Sequence, residues 1–92
     1  MLYTFSQASY DKKELSRYFQ YMNEKDAVVL WQNGVFLVIK AADLLAQCKA
    51  SIYVLDNDVQ ARGLTENVSP HWLINIHDLV ELTNEVTPQF AL

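Results

Sequence analysis

Few side chains in this sequence could perform covalent or acid–base chemistry: one cysteine, Cys48; two histidines, His71 and His77; and an acidic pair, Asp56 and Asp58, around Asn57. A nucleophilic or sulfur-carrying cysteine needs an exposed thiolate with a lowered pKa. The spacing of Cys48 instead puts it on one helical face with Leu44 and Leu45, and free cysteine is among the most buried residue types, so a packing role is expected. Neither histidine has a cysteine or histidine partner at zinc-ligand spacing. His71 reads as a surface loop residue and His77 as a hydrogen-bonding strand-end residue. The Asp56-Asn57-Asp58 stretch could hold Mg²⁺ for phosphoryl transfer. The commoner use of such residues at a helix start is to cap it and offset its dipole. With two glycines in the chain there is no glycine-rich phosphate loop. The reading is no catalytic residue, no metal and no cofactor.

The 92 residues make one domain, 1–92, of a size that buries only about two-thirds of its unfolded surface. Charged residues make up 20%, below the usual ~25%, which favours an oligomer. A net charge of −4 and no basic run longer than Lys12-Lys13 argue against direct nucleic-acid binding, which is dominated by Lys and Arg contacts to phosphates. A lone cysteine, no leader-like apolar segment and no apolar run near ~20 residues point to a soluble cytoplasmic protein without a membrane partner.

The elements that must position these residues alternate regularly. Leu2 to Phe5 suits an N-terminal strand. Asp11 and Glu14 form a capping box ahead of Leu15, Tyr18, Phe19 and Met22, which recur at i, i+3, i+4 and i+7. Asp26 to Trp31 is a second strand. Leu44, Leu45 and Cys48 mark a second helix, with Lys49 in its last turn. Ile52 to Leu55 is a third strand, followed by a short helix capped by Asn57, carrying Arg62 in its last turn and stopped by Gly63. After Ser69-Pro70, Trp72 to Ile76 is a fourth strand. Asp78 and Glu81 form a second capping box for the helix of Leu79, Leu82 and Val86, and Gln89 to Leu92 is a last edge strand. The order β-α-β-α-β-α-β-α-β predicts an α/β domain with a mostly parallel twisted sheet of about five strands and helices on both faces.

One stretch resists this reading. In Val28 to Lys40, "VVLWQNGVFLVIK", Asn33-Gly34 between two apolar runs is a strong hairpin signal. Yet the flanks are solidly apolar, as in a strand buried on both faces, and a hairpin would break the alternation. Local physics leaves both open: a hairpin, or a strand exit into a helix with Asn33 or Gly34 supplying the tight turn.

Four stretches in series resemble the TusB/DsrH family, the small subunit of bacterial sulfur-relay complexes: Leu2 to Ser6, "DAVVLWQNGV" from Asp26 to Val35, "YVLDNDVQARGL" from Tyr53 to Leu64, and "INIHDLVELT" from Ile74 to Thr83. Asp58 to Leu64, Asp-x-x-Ala-Arg-Gly-Leu, is the most specific part. The resemblance implies a DsrE-like fold, in which the Asn33-Gly34 stretch is a strand end and helix start. It implies TusC-like and TusD-like partner subunits in a heterohexamer. It further implies that persulfide sulfur passes from a TusA-like donor to a TusE-like acceptor, toward the 2-thio group of tRNA wobble uridine. In such complexes the transferring cysteine belongs to the TusD-like subunit. Relatives of DsrH type often carry a cysteine near the end of the first helix; Tyr18 to Met22 has none, which places the chain in the TusB branch. Tyr3 stands where the family usually has histidine, and Leu92, with Phe90 before it, where it usually has a terminal Trp.

The expected role is a non-catalytic structural subunit whose partner interface includes Trp31, Asn33, Gly34, Val35, Phe36 and Phe90, with His77 and Asp78 lining the strand-end crevice. The alternatives are a persulfide carrier through Cys48 and a free-standing homo-oligomeric binding module. An isolated chain is expected to pair with itself through its exposed apolar face.

Overall fold

The strands in the sequence are short and mostly apolar, and short apolar strands are stable only when they pair into a sheet and are covered. The computed structural model, which describes residues 1–92, meets that need with one five-stranded, all-parallel sheet of order β4-β3-β2-β1-β5. The strands are β1 (Leu2–Phe5), β2 (Ala27–Leu30), β3 (Ser51–Leu55), β4 (Leu73–Ile74) and β5 (Gln89–Ala91). Between them lie α1 (Lys12–Tyr21), α2 (Leu37–Lys40), α3 (Ala42–Gln47), α4 (Asp56–Ala61) and α5 (Ile76–Glu85), with 3₁₀ turns at Gln32–Phe36, Thr65–Asn67 and Pro70–Trp72. The solidly apolar Ala27–Leu30 run belongs to the central strand, buried at all four positions. There is no hairpin at Asn33-Gly34.

The first three crossovers each step one strand in the same direction, so α1 to α4 lie on one face. The last, through α5, returns across the sheet on the other face and delivers β5 beside β1. Coverage is therefore unequal. The α1–α4 side holds a cluster of 17 buried residues, among them Phe5, Leu30, Val35, Val54 and Val59; the α5 side holds five, Leu2, Ala27, Val29, Leu55 and Leu79. No helix is long and apolar enough to cross a membrane.

Helix starts depart from the sequence reading in instructive ways. At α1 only half of the expected box forms: Asp11 Oδ2 accepts the Glu14 N–H at 3.3 Å. Helix α4 leaves β3 without any side-chain cap, starting at Asp56, so Asn57 is not its cap. At α5 the box sits one turn earlier than Asp78 and Glu81: Asn75 Oδ1 accepts the Asp78 N–H at 2.8 Å, and Asp78 Oδ2 accepts the Asn75 N–H at 3.1 Å. The cause is β4, which pairs with β3 only over Leu73 and Ile74, so Trp72, Asn75 and Ile76 are not strand. Asn75→Ala removes the side-chain half of that box and is expected to lower stability by about 1 kcal/mol, read as a lower urea midpoint with unchanged slope. The expected second helix is likewise broken in two at Ala41, whose backbone leaves helical geometry.

One buried carboxylate ties the amino edge together. Asp26 Oδ1 accepts from the Met1 amino group at 3.0 Å and Oδ2 from the Asn23 N–H at 2.9 Å. Burial pushes its carboxyl up, but those two donors outweigh it and hold it below the usual carboxylate range. A folded-state pKa below the unfolded one stabilises the fold at neutral pH, and the contribution disappears as pH falls through about 4 and below. The stability gap between wild type and Asp26→Asn is therefore expected to be widest near neutrality and to close in acid, as urea titrations at several pH values will report.

Candidate partner surface at the carboxyl edge of the sheet

In open parallel sheets, ligands and partners meet the carboxyl ends of the strands, above all where the strand order reverses. Here that edge carries Ser6, Trp31 to Gly34, Asp56 to Asp58 and Asn75 to Asp78, and the order reverses between β1 and β5.

The switch point is filled from within. The Tyr10 hydroxyl accepts the Ser6 and Gln7 N–H groups, each at 3.1 Å, and donates to the Leu92 carbonyl at 2.9 Å. The Leu92 N–H in turn donates to the Thr4 carbonyl at 2.8 Å, extending the β1–β5 ladder. Two convergent main-chain donors, which could otherwise grip a ligand oxygen, are thus satisfied by the chain's own phenol. Residue spacing gives no hint of this contact, because Tyr10 and Leu92 are neighbours only through the β5 crossover.

Beside it, the exit from β2 is held by side chains of α4. Gln32 takes φ 52°, the left-handed value expected at Asn33 or Gly34, and its N–H donates to Asp58 Oδ2 at 2.6 Å. Arg62 donates to Asn33 Oδ1 from Nε at 3.0 Å and Nη2 at 2.9 Å, and its Nη1 reaches the Asp58 carbonyl at 3.1 Å. The Asp58-x-x-Ala-Arg spacing places carboxylate and guanidinium one helical turn apart, 3.6 Å from each other, so that both face the Gln32-Asn33-Gly34 turn. Gly34 serves close approach: a Cβ there would lie 1.9 Å from the Phe5 carbonyl oxygen.

The candidate residues do not form one patch. Asn33 is exposed, Trp31 and Phe36 are half-buried, and the Trp31 indole N–H is enclosed without a hydrogen-bond partner. Gly34 and Val35 are corrections to the expected interface: Val35 is completely buried in the main core and Gly34 is pressed against β1, so they support the surface from below. Phe90, 44% exposed, lies across β1, against Tyr3 and Tyr18 at centroid distances of 6.3 and 6.1 Å. His77 and Asp78 sit in the first turn of α5 beside β4, near the opposite edge of the sheet; His77 Nε2 is 3.2 Å from Glu81, and Asp78 is engaged in the capping box.

Catalytic chemistry finds little support. Cys48 is half-buried at the end of α3, on the amino edge, with its thiol 3.7 Å from the Ala50 carbonyl. Burial, aided by the Asp26 charge, pushes the thiol up, away from the thiolate a nucleophile requires. Asp56 accepts from Gln60, and Asp58 from Gln32, so the acidic pair is engaged around α4. No three His, Cys, Asp or Glu side chains converge as a metal site would need.

A family model described as DsrH-like protein matches residues 7–89. The chain belongs to the DsrH family. Among its relatives, this DsrH-family chain is 37% identical to Protein TusB of Pectobacterium parmentieri and 36% to Protein TusB of Yersinia enterocolitica, each over 99% of both chains. A protein of Haemophilus influenzae described as uncharacterized is 50% identical over the full length of both. Protein Tm0979 of Thermotoga maritima, solved by NMR, superimposes with a TM-score of 0.65 and 26% identity over 91% of this chain and 92% of that one. The TusB/DsrH resemblance of the sequence is thereby established.

Proposed function

We propose that this chain is a non-catalytic subunit of a cytoplasmic persulfide-relay complex serving 2-thiolation of the tRNA wobble uridine, assembled with TusC-like and TusD-like chains. In this reading it takes no sulfur itself. A TusA-like donor and a TusE-like acceptor meet the partner's cysteine, and this chain supplies a preformed surface around Trp31, Asn33, Phe36 and Phe90.

The observation that carries the reading is the position of its one cysteine. Cys48 lies on the amino edge of the sheet, half-buried and with a raised pKa, while the partner-facing turns lie on the carboxyl edge. A four- or five-residue strand separates the two edges by roughly 15 Å. The Tyr10-filled switch point fits the same reading, since it leaves no crevice for a substrate there.

The test is native mass spectrometry of the chain purified from its own cells, with persulfides alkylated before digestion. The expected result is an assembly with two homologous subunits and a persulfide on a partner's cysteine. Cys48→Ser is expected to leave assembly and sulfur transfer unchanged. A persulfide on Cys48, with transfer lost in that variant, would overturn the reading.

A further inference from the structure

Strand β5 has one neighbour. The Leu2 N–H donates to the Pro88 carbonyl and the Leu92 N–H to the Thr4 carbonyl. In a parallel ladder those two bonds fix which β5 groups face β1: the main-chain groups of Phe90 point inward, and the N–H and C=O of Gln89 and Ala91 point out. The outward edge also carries no charged side chain from Thr87 to Leu92, although the side chains of the whole chain sum to a net charge of −4. At the opposite edge, β4 offers two residues.

We propose that two copies of this chain pair through β5, antiparallel across a two-fold axis at Phe90, to form one continuous ten-stranded sheet. The register follows from the sequence numbers. With Phe90 opposite Phe90 of the second copy, Gln89 faces Ala91 and Ala91 faces Gln89, and each pair exchanges both of its free main-chain bonds, giving four in all. Phe90 is then the non-hydrogen-bonded pair, with Cα atoms about 4.5 Å apart and rings close together. Those rings lie on the α1 side, where each already touches Tyr3 and Tyr18, so the seam is aromatic. A second copy is the occupant because no charged side chain along this strip opposes its own copy, and because this register leaves no outward donor or acceptor of Gln89 or Ala91 unpaired. The inference stands independently of the sulfur-relay reading.

The experiment is sedimentation equilibrium of the full chain, wild type against Ala91→Pro. The Ala91 N–H makes no bond to β1, so proline there spares the chain's own ladder, and Phe90 before it is already extended. Proline removes two of the four bonds across the seam, and dimerisation is expected to weaken by roughly twenty-five-fold, at about a factor of five per bond. An amide spectrum confirms that the variant is folded. In a Cys48→Ser background, Phe90→Cys is expected to form an intermolecular disulfide on mild oxidation, because that Cα separation suits one. Gln89→Cys, whose opposite neighbour is Ala91, is expected to cross-link far less. A monomeric wild type overturns the proposal. So does a dimer untouched by Ala91→Pro, or cross-linking that favours Gln89→Cys.

Discussion

Gly34→Ala is expected to remove most of the protein's stability. The new methyl carbon would lie 1.9 Å from the Phe5 carbonyl oxygen, 2.6 Å from its carbon and 3.2 Å from the Ser6 nitrogen. All three are main-chain atoms at the end of β1, and the Trp31 N–H donates to that same carbonyl at 3.2 Å. Relief requires the end of β1 to move away from the exit of β2, which breaks this bond and disturbs the Tyr10 contacts next to it. A cost of about 4 kcal/mol or more is expected, a large share of the ~5–15 kcal/mol that stabilises a domain. Gly63→Ala is the internal control. Gly63 has φ +68° but open space around the would-be Cβ, so only the left-handed conformation is penalised, by about 1 kcal/mol. Urea denaturation of the two variants should separate them clearly; equal, small losses would show that β1 and the Gln32–Phe36 turn are not in contact.

Phe5→Ala should be nearly as damaging. Phe5 is fully buried where the core meets the carboxyl edge, stacked on Phe19 at 5.8 Å and edge-on to Tyr10 at 5.5 Å. Losing the ring removes its transfer free energy and leaves a cavity, about 4 kcal/mol together, which for a chain this size lowers Tm by roughly 15–30 °C. The Tyr10 ring loses its wall, so its near-ultraviolet dichroism is expected to collapse below the melting transition. Phe5→Leu, which keeps most of the volume, should cost less than half as much. Comparable losses in the two variants would place the stabilisation in the main chain of β1 rather than in its side chain.

Both residues show why the fold was legible and the surface only partly so. Solid apolar runs, helical periodicity and Gly63 are short-range signals, and they gave the order of strands and helices while missing the helix break at Ala41 and the shortness of β4. The Asn33-Gly34 pair was ambiguous because the same dipeptide serves a type I′ turn by accepting positive φ and serves this turn by having no side chain at position 34. What decides between them is the Phe5 carbonyl, almost thirty positions earlier, and no local pattern contains it. Gly34 and Val35 were expected at the interface together with Trp31, Asn33 and Phe36, yet both are buried. A 3₁₀ turn rotates side chains by about 120° per residue, so successive positions point to solvent and to core alternately in threes rather than together.

The sequence by itself determined the alternation of strands and helices, the lack of a basic face or phosphate loop, and the family. These follow from composition and from patterns whose period is a few residues. Only the tertiary structure decided that Tyr10 closes the switch point, that Arg62 and Asp58 grip the Gln32–Asn33 turn, that Cys48 lies on the edge away from that turn, and that β5 ends the sheet with its outward groups free. Each of these joins residues brought together by a crossover, and the direction of the last crossover is set by sheet twist and by burial of the α5 face, which are properties of the assembled core.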